Sequence, residues 1–182
     1  MIGPVLQQIG WVNLLWNKVE QLWFLVYQEN TPDGSRLQLD AVFKQFDTGR
    51  RQRQAILAAL SADTDQDETR LLLARSLIDR TNAAAETRNA LMHADFHLGL
   101  EANDWSLHVS HGHGRKANRL SQKDLEAELQ NLVTTLKVLF TDIETQLLPP
   151  FPGIPGVAES LTTARFVELI EQLIAAEAGR RP

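Results

Sequence analysis

The 182-residue chain contains no cysteine. That absence excludes disulfides, thiolate metal sites and cysteine nucleophiles, and it suits a reducing, cytoplasmic setting. An excess of positive charge is lacking too. Eighteen Lys and Arg stand against 23 Asp and Glu, for a net charge of −5. This disfavours a protein that coats nucleic acid through bulk charge; contact with a polyanion would need a local basic patch. No apolar run approaches the ~18 residues of a membrane span. Asn13, Asn17, Lys18 and Glu20 interrupt the Leu-, Val- and Trp-rich start, which also lacks a basic leader and a small-residue cleavage site. There is no Gly-rich phosphate loop, no HExxH pair, no Ser nucleophile elbow and no carboxylate pair with catalytic spacing. Internal repeats and low-complexity stretches are absent as well.

What remains is an ordinary globular composition, 43% hydrophobic and 23% charged, in a chain of one-domain length. A chain this long buries roughly 70% of its unfolded surface, so it needs no staple or metal to fold. Val5, Ile9, Val12, Trp16, Val19, Trp23 and Val26 recur at spacings of 4 and 3, which predicts a helix from Pro4 to about Glu29. Leu14, Leu15, Leu22 and Leu25 widen its apolar face, so more than one neighbour must cover it. Asn30 to Ser35 carries turn chemistry. A second helix is expected over Leu37 to Phe46. A third, capped by Asp47 or Thr48, runs through Leu60. A long helix spans about Gln66 to His93, with Leu71, Ala74, Ile78, Thr81 and Ala85 on one track. Leu73, Leu77, Ala84 and Leu91 mark a second track.

Residues 96–102 and 105–111 alternate in polarity around Asn103-Asp104 and read as a small β-hairpin. Ser121 and Asp124 then resemble a capping box. It opens a helix bearing Leu125, Leu129, Leu132, Leu136, Leu139 and Ile143. The prolines of 149–156 form a stiff linker, followed by an amphipathic helix at about 161–176. The expected fold is all-α. The chain is a bundle of five to six helices, with the bundle domain at 1–148, the hairpin at about 96–111 inserted between two of its helices, and a C-terminal helix in 157–182 packing on that bundle or on a partner subunit.

The long helix ends Glu86-Thr-Arg-Asn-Ala-Leu-Met-His93. Arg88 falls on the inward track with Ile78, Thr81, Ala85 and Met92, and a buried guanidinium needs an anion or several acceptors. Asn82, Glu86, Asn89 and His93 form a polar stripe beside it. The dipole at this helix end favours a protonated His93. These features imply a polar, partly enclosed site.

Arg88-Asn89 followed by His93 resembles the R-x(4–6)-H motif of the HEPN superfamily, with Asn in the commonest polar place. The layout is similar as well: a long helix ending in the motif, an irregular insert, then another bundle helix. The resemblance implies a metal-independent endoribonuclease of toxin or defence type, acting as a homodimer in which two Arg–His pairs share a cleft. His93 would move a proton at the ribose 2′-hydroxyl or the leaving oxygen, a contribution of ~10²–10⁴-fold. Arg88 would pair with the scissile phosphate, and Asn89 would orient His93 or bond the phosphate. The family also includes members that bind nucleotide, RNA or a partner protein without cutting, and toxins paired with nucleotidyltransferase-like antitoxins. No cofactor is implied.

The residues alone also admit a structural reading, in which Arg88 pairs with Glu86 or another carboxylate and His93 caps the helix. Arg115, Lys116 and Arg119 lie in an acid-free run that is either a solvated loop or a guide for an RNA backbone. His97, His108, His111 and His113 cluster, but zinc usually takes four ligands and no cysteine is present, so no metal site is assigned. Arg50, Arg51 and Arg53 open the third helix, where the dipole disfavours cations. Either an anion binds there or nearby acids such as Asp47 compensate. Trp11, Trp16 and Trp23 follow the helix repeat and read as core; Trp105 is left open as a base-stacking residue.

Overall fold

The computed structural model describes residues 3–31, 35–62, 68–93, 95–101, 104–111, 118–149 and 172, with 95–101, 104–111, 118–120 and 122 described through their backbone. Five helices and three short strands follow in the order α1 (Gly3–Glu29), α2 (Arg36–Gln45), α3 (Gly49–Ala62), α4 (Glu68–Met92), β1 (Asp95–Glu101), β2 (Asp104–His111), β3 (Asn118–Leu120) and α5 (Gln122–Leu147). The helices form a bundle around one apolar core. The linker expected at 149–156 and the helix expected at 161–176 fall, but for Pro149 and Gln172, outside the described residues.

The core is built on α1 and α5. Val12, Leu15, Val19, Trp23 and Val26 of α1 are buried, as are Leu125, Leu129, Leu132, Leu136, Leu139 and Ile143 of α5. These are the 3–4 tracks that define one face of each helix. Gln8 Nε2 donates to Gln130 Oε1 at 3.3 Å, which places the N-terminal turns of the two helices side by side. α4 packs on α5 in the opposite sense. Arg70 in its first turns donates to the Leu147 carbonyl, and Arg80 pairs with Asp142 at 2.8 Å. α2 is held on α1 by Phe43, whose ring lies 5.4 Å from Phe24 and 5.1 Å from Tyr27. One detail of the expected α1 face is corrected: Leu14 is exposed.

Helix ends are set by local chemistry. Ser121 Oγ accepts from the Asp124 N–H, as the capping pattern predicts, and its hydroxyl donates to the Asp124 carboxylate at 2.6 Å. Thr48 Oγ1 accepts from the Arg51 N–H at the start of α3. Ser35 and Gln38 make a reciprocal capping box on α2 that hydrophobic periodicity alone does not show.

The strands lie between α4 and α5. β1 pairs antiparallel with β2, and Glu101 opposes Asp104 at the connection. β2 then pairs antiparallel with β3. Where the alternation predicts two strands, the backbone has a three-stranded sheet in the order β1-β2-β3. The third strand spans only three residues, too few to show a period of two in the sequence.

Candidate functional site

A polar cluster lies where α1, α3 and α4 meet, and its buried member is Arg53. It shares a helix face with Ile56 and Leu60, both buried, and is itself only 3% exposed. Its Nη1 pairs with Glu20 Oε1 of α1 at 2.8 Å, and its Nε donates to Asn82 Oδ1 of α4 at 3.0 Å. A buried cation thus receives one carboxylate and one amide oxygen, which offset its desolvation. Gly49, one turn earlier, makes the room. A Cβ there would meet Arg53 Nη1 at 3.1 Å and Glu20 Oε1 at 3.4 Å. Asp47 pairs with Arg51 at 3.0 Å, so the acid beside the arginine cluster compensates Arg51, while Glu20 compensates Arg53.

Arg88 lies one to two turns along α4 and is half-buried, turned toward α1. Its Nη2 donates to Asn13 Oδ1 at 3.3 Å and its Nη1 to Asn89 Oδ1 at 3.1 Å. The guanidinium carbon lies over the Trp16 ring, 5.8 Å from its centroid, and that of Arg53 lies 6.0 Å from the same centroid. One indole therefore serves two cations. Arg88 makes no ion pair with a carboxylate among the described residues, so the alternative pairing with Glu86 is not formed. Its Nε is buried and has no hydrogen-bond partner there.

Asn89 is exposed and its amide oxygen serves Arg88. Its backbone carbonyl accepts from the His93 N–H at 3.0 Å, closing the last turn. His93 is exposed just past the end of α4, and its ring has no partner among the described residues. Five positions along a regular helix place two side chains roughly 140° apart around its axis. Arg88 faces α1; His93 does not share that direction. Two concave regions, of about 790 and 690 Å³, lie elsewhere, against α2 and the outer side of α3, and neither is lined by Arg88 or His93.

Arg115, Lys116 and His113 fall outside the described residues, and Arg119 belongs to β3, where its backbone pairs with Ser110. Along the sheet, His97 opposes His108 in register and His111 opposes Asn118. Among the described residues no three His, Asp or Glu gather as metal ligands. No described helix is long and apolar enough to cross a membrane.

Asn13, Glu20 and Arg53 did not figure as site residues in the sequence. A signal for each was present. Asn13 and Glu20 stand seven positions apart on one stripe of an otherwise apolar helix. Arg53 stands three and seven positions before Ile56 and Leu60 on their buried face. No family model matches the chain, and no curated protein or solved structure was found to match it.

Proposed function

We propose that the protein is a HEPN-like, RNA-processing protein: a cytoplasmic, metal-independent endoribonuclease of toxin or defence type that acts as a homodimer. Arg88 would bind the scissile phosphate and His93 would transfer the proton. The observation that carries this reading is the state of Arg88. It is held by two amide oxygens and an indole, and it has no carboxylate counter-ion among the described residues. A half-buried guanidinium in that state is ready for an oxyanion. The roughly 140° between positions 88 and 93 gives the dimer its purpose, since an arginine and a histidine that diverge on one helix can converge across a two-fold axis. Asn89 then acts on Arg88 rather than on His93. Arg115, Lys116 and Arg119 would guide the RNA backbone, and a nucleotidyltransferase-like antitoxin is the partner that the resemblance offers.

A second reading follows from the exposed, unpartnered His93 ring. In it, the same surface binds nucleotide, RNA or a protein without cutting. Incubating the protein with labelled RNA in EDTA, beside Arg88→Ala and His93→Ala, separates the two. Cleavage lost in both variants supports the nuclease. Binding without cleavage supports the module, and no interaction at all removes both.

A further inference from the structure

The amides around the two arginines are all committed in one sense. Asn13 and Asn89 each turn Oδ1 to Arg88, and Asn82 turns Oδ1 to Arg53. The assignment follows from the network, because a guanidinium offers only donors and an amide nitrogen facing it would leave both unpaired. Each amide thereby keeps its Nδ2 donors uncommitted among the described residues. Each of these oxygens faces a guanidinium, while the amide donors remain uncommitted. The charge is also unbalanced: two guanidiniums share one indole and one carboxylate, that of Glu20, which is already paired with Arg53. The Nε of Arg88 is buried without a partner among the described residues, so one donor of that guanidinium is still unmet. Glu20 lies two turns of α1 from Asn13, which directs an anion to the Asn13 end.

We infer that Asn13 and Asn89, with Arg88 between them, form a receptor for a phosphate-class oxyanion, with Trp16 and the buried Arg53 positioning Arg88. The inference rests on the ribonuclease reading for the source of the phosphate and not for the binding itself. Trp16 receives the Arg88 guanidinium 5.8 Å from its ring centroid, and Arg53, whose charge Glu20 balances, shares the same ring at 6.0 Å. Asn13 and Trp16 belong to α1 and Arg53 to α3, so the receptor extends well beyond the motif on α4.

Binding is measured by calorimetry on the full chain at fixed ionic strength, with two probes. Inorganic pyrophosphate reports a free phosphate, and a short 2′-O-methyl RNA strand, which cannot be cut through its 2′-oxygen, reports a nucleic-acid backbone. Asn13→Asp gives Arg88 the carboxylate that it lacks and should weaken binding by roughly tenfold or more. Asn89→Asp, at an exposed position, should act in the same direction and serves if Asn13→Asp fails to fold. Gln54→Glu adds the same charge on the outer face of α3 and should leave binding within about twofold of the parent, since an exposed distant charge is screened. Loss in either Asp variant with retention in Gln54→Glu supports the receptor. Binding of pyrophosphate but not of the RNA strand supports it too, while removing RNA as the source. Parent-like binding by both Asp variants overturns it, as does failure of the parent chain to bind either probe. RNA cleavage that persists alongside parent-like binding in the Asp variants would leave the nuclease standing without the receptor.

Discussion

The α1–α5 seam and the junction of α1, α3 and α4 share a helix and differ in almost everything else. The seam is apolar and continuous; its leucines are buried at 0–3% exposure along the whole of α5. The junction places a fully buried cation, a half-buried one, three amides and an indole within a few turns. Burial of apolar surface is favourable wherever it occurs. Burial of a guanidinium costs free energy unless each partner is in place. The seam therefore supplies stability that tolerates exchange among apolar residues. The junction supplies little net stability but fixes several groups in one arrangement.

Substitutions can test that division, beginning with the seam. Leu136→Ala removes a side chain with no exposure and leaves a cavity. It should cost about 2–5 kcal/mol in urea unfolding, whereas Leu136→Met should cost under about 1.5 kcal/mol. At the junction, Glu20→Gln leaves Arg53 buried without its counter-charge and should cost about 1–3 kcal/mol. If the pair matters for arrangement rather than stability, joint replacement by Glu20→Leu and Arg53→Met should recover most of that loss. Arg88→Gln should move stability by less than about 1 kcal/mol, the scale of an indole–cation contact; under the ribonuclease proposal it should also abolish RNA binding and cleavage. The smallest effect compares two glycines. A Cβ on Gly10 meets nothing within 4 Å, so Gly10→Ala should stabilise α1 by about 0.5–1 kcal/mol. Gly49→Ala pushes on the Arg53–Glu20 pair and should gain nothing; an equal gain at both positions would show that the pair yields freely.

The same contrast decides what could be read from the sequence. The helices were legible because apolar residues recur every three to four positions, and α5 follows its expected track residue for residue. The Ser121 cap was legible because it is local. The partners of Arg88 and Arg53 were not, because they lie 75 and 33 positions away in the chain. Periodicity can turn a side chain inward but cannot say which residue meets it. In α1, Asn13 and Glu20 read as breaks in an apolar run; the fold makes them the acceptors that the two arginines need. Arg88 itself was placed on the correct side of its helix. His93 was assigned by its spacing from Arg88, and spacing on one helix does not settle where two side chains meet.

The pairing of Gln8 with Gln130 has a consequence for how the chain comes to fold. α1 is made before α5, and the helix that covers most of it begins only about ninety residues after α1 ends. Synthesis at about 5–20 residues per second leaves the apolar stripe of α1 without that cover for several seconds or more. During that interval the nascent helix is a target for chaperones and for aggregation. Closure of so long a loop also sets a slow, non-local step in refolding.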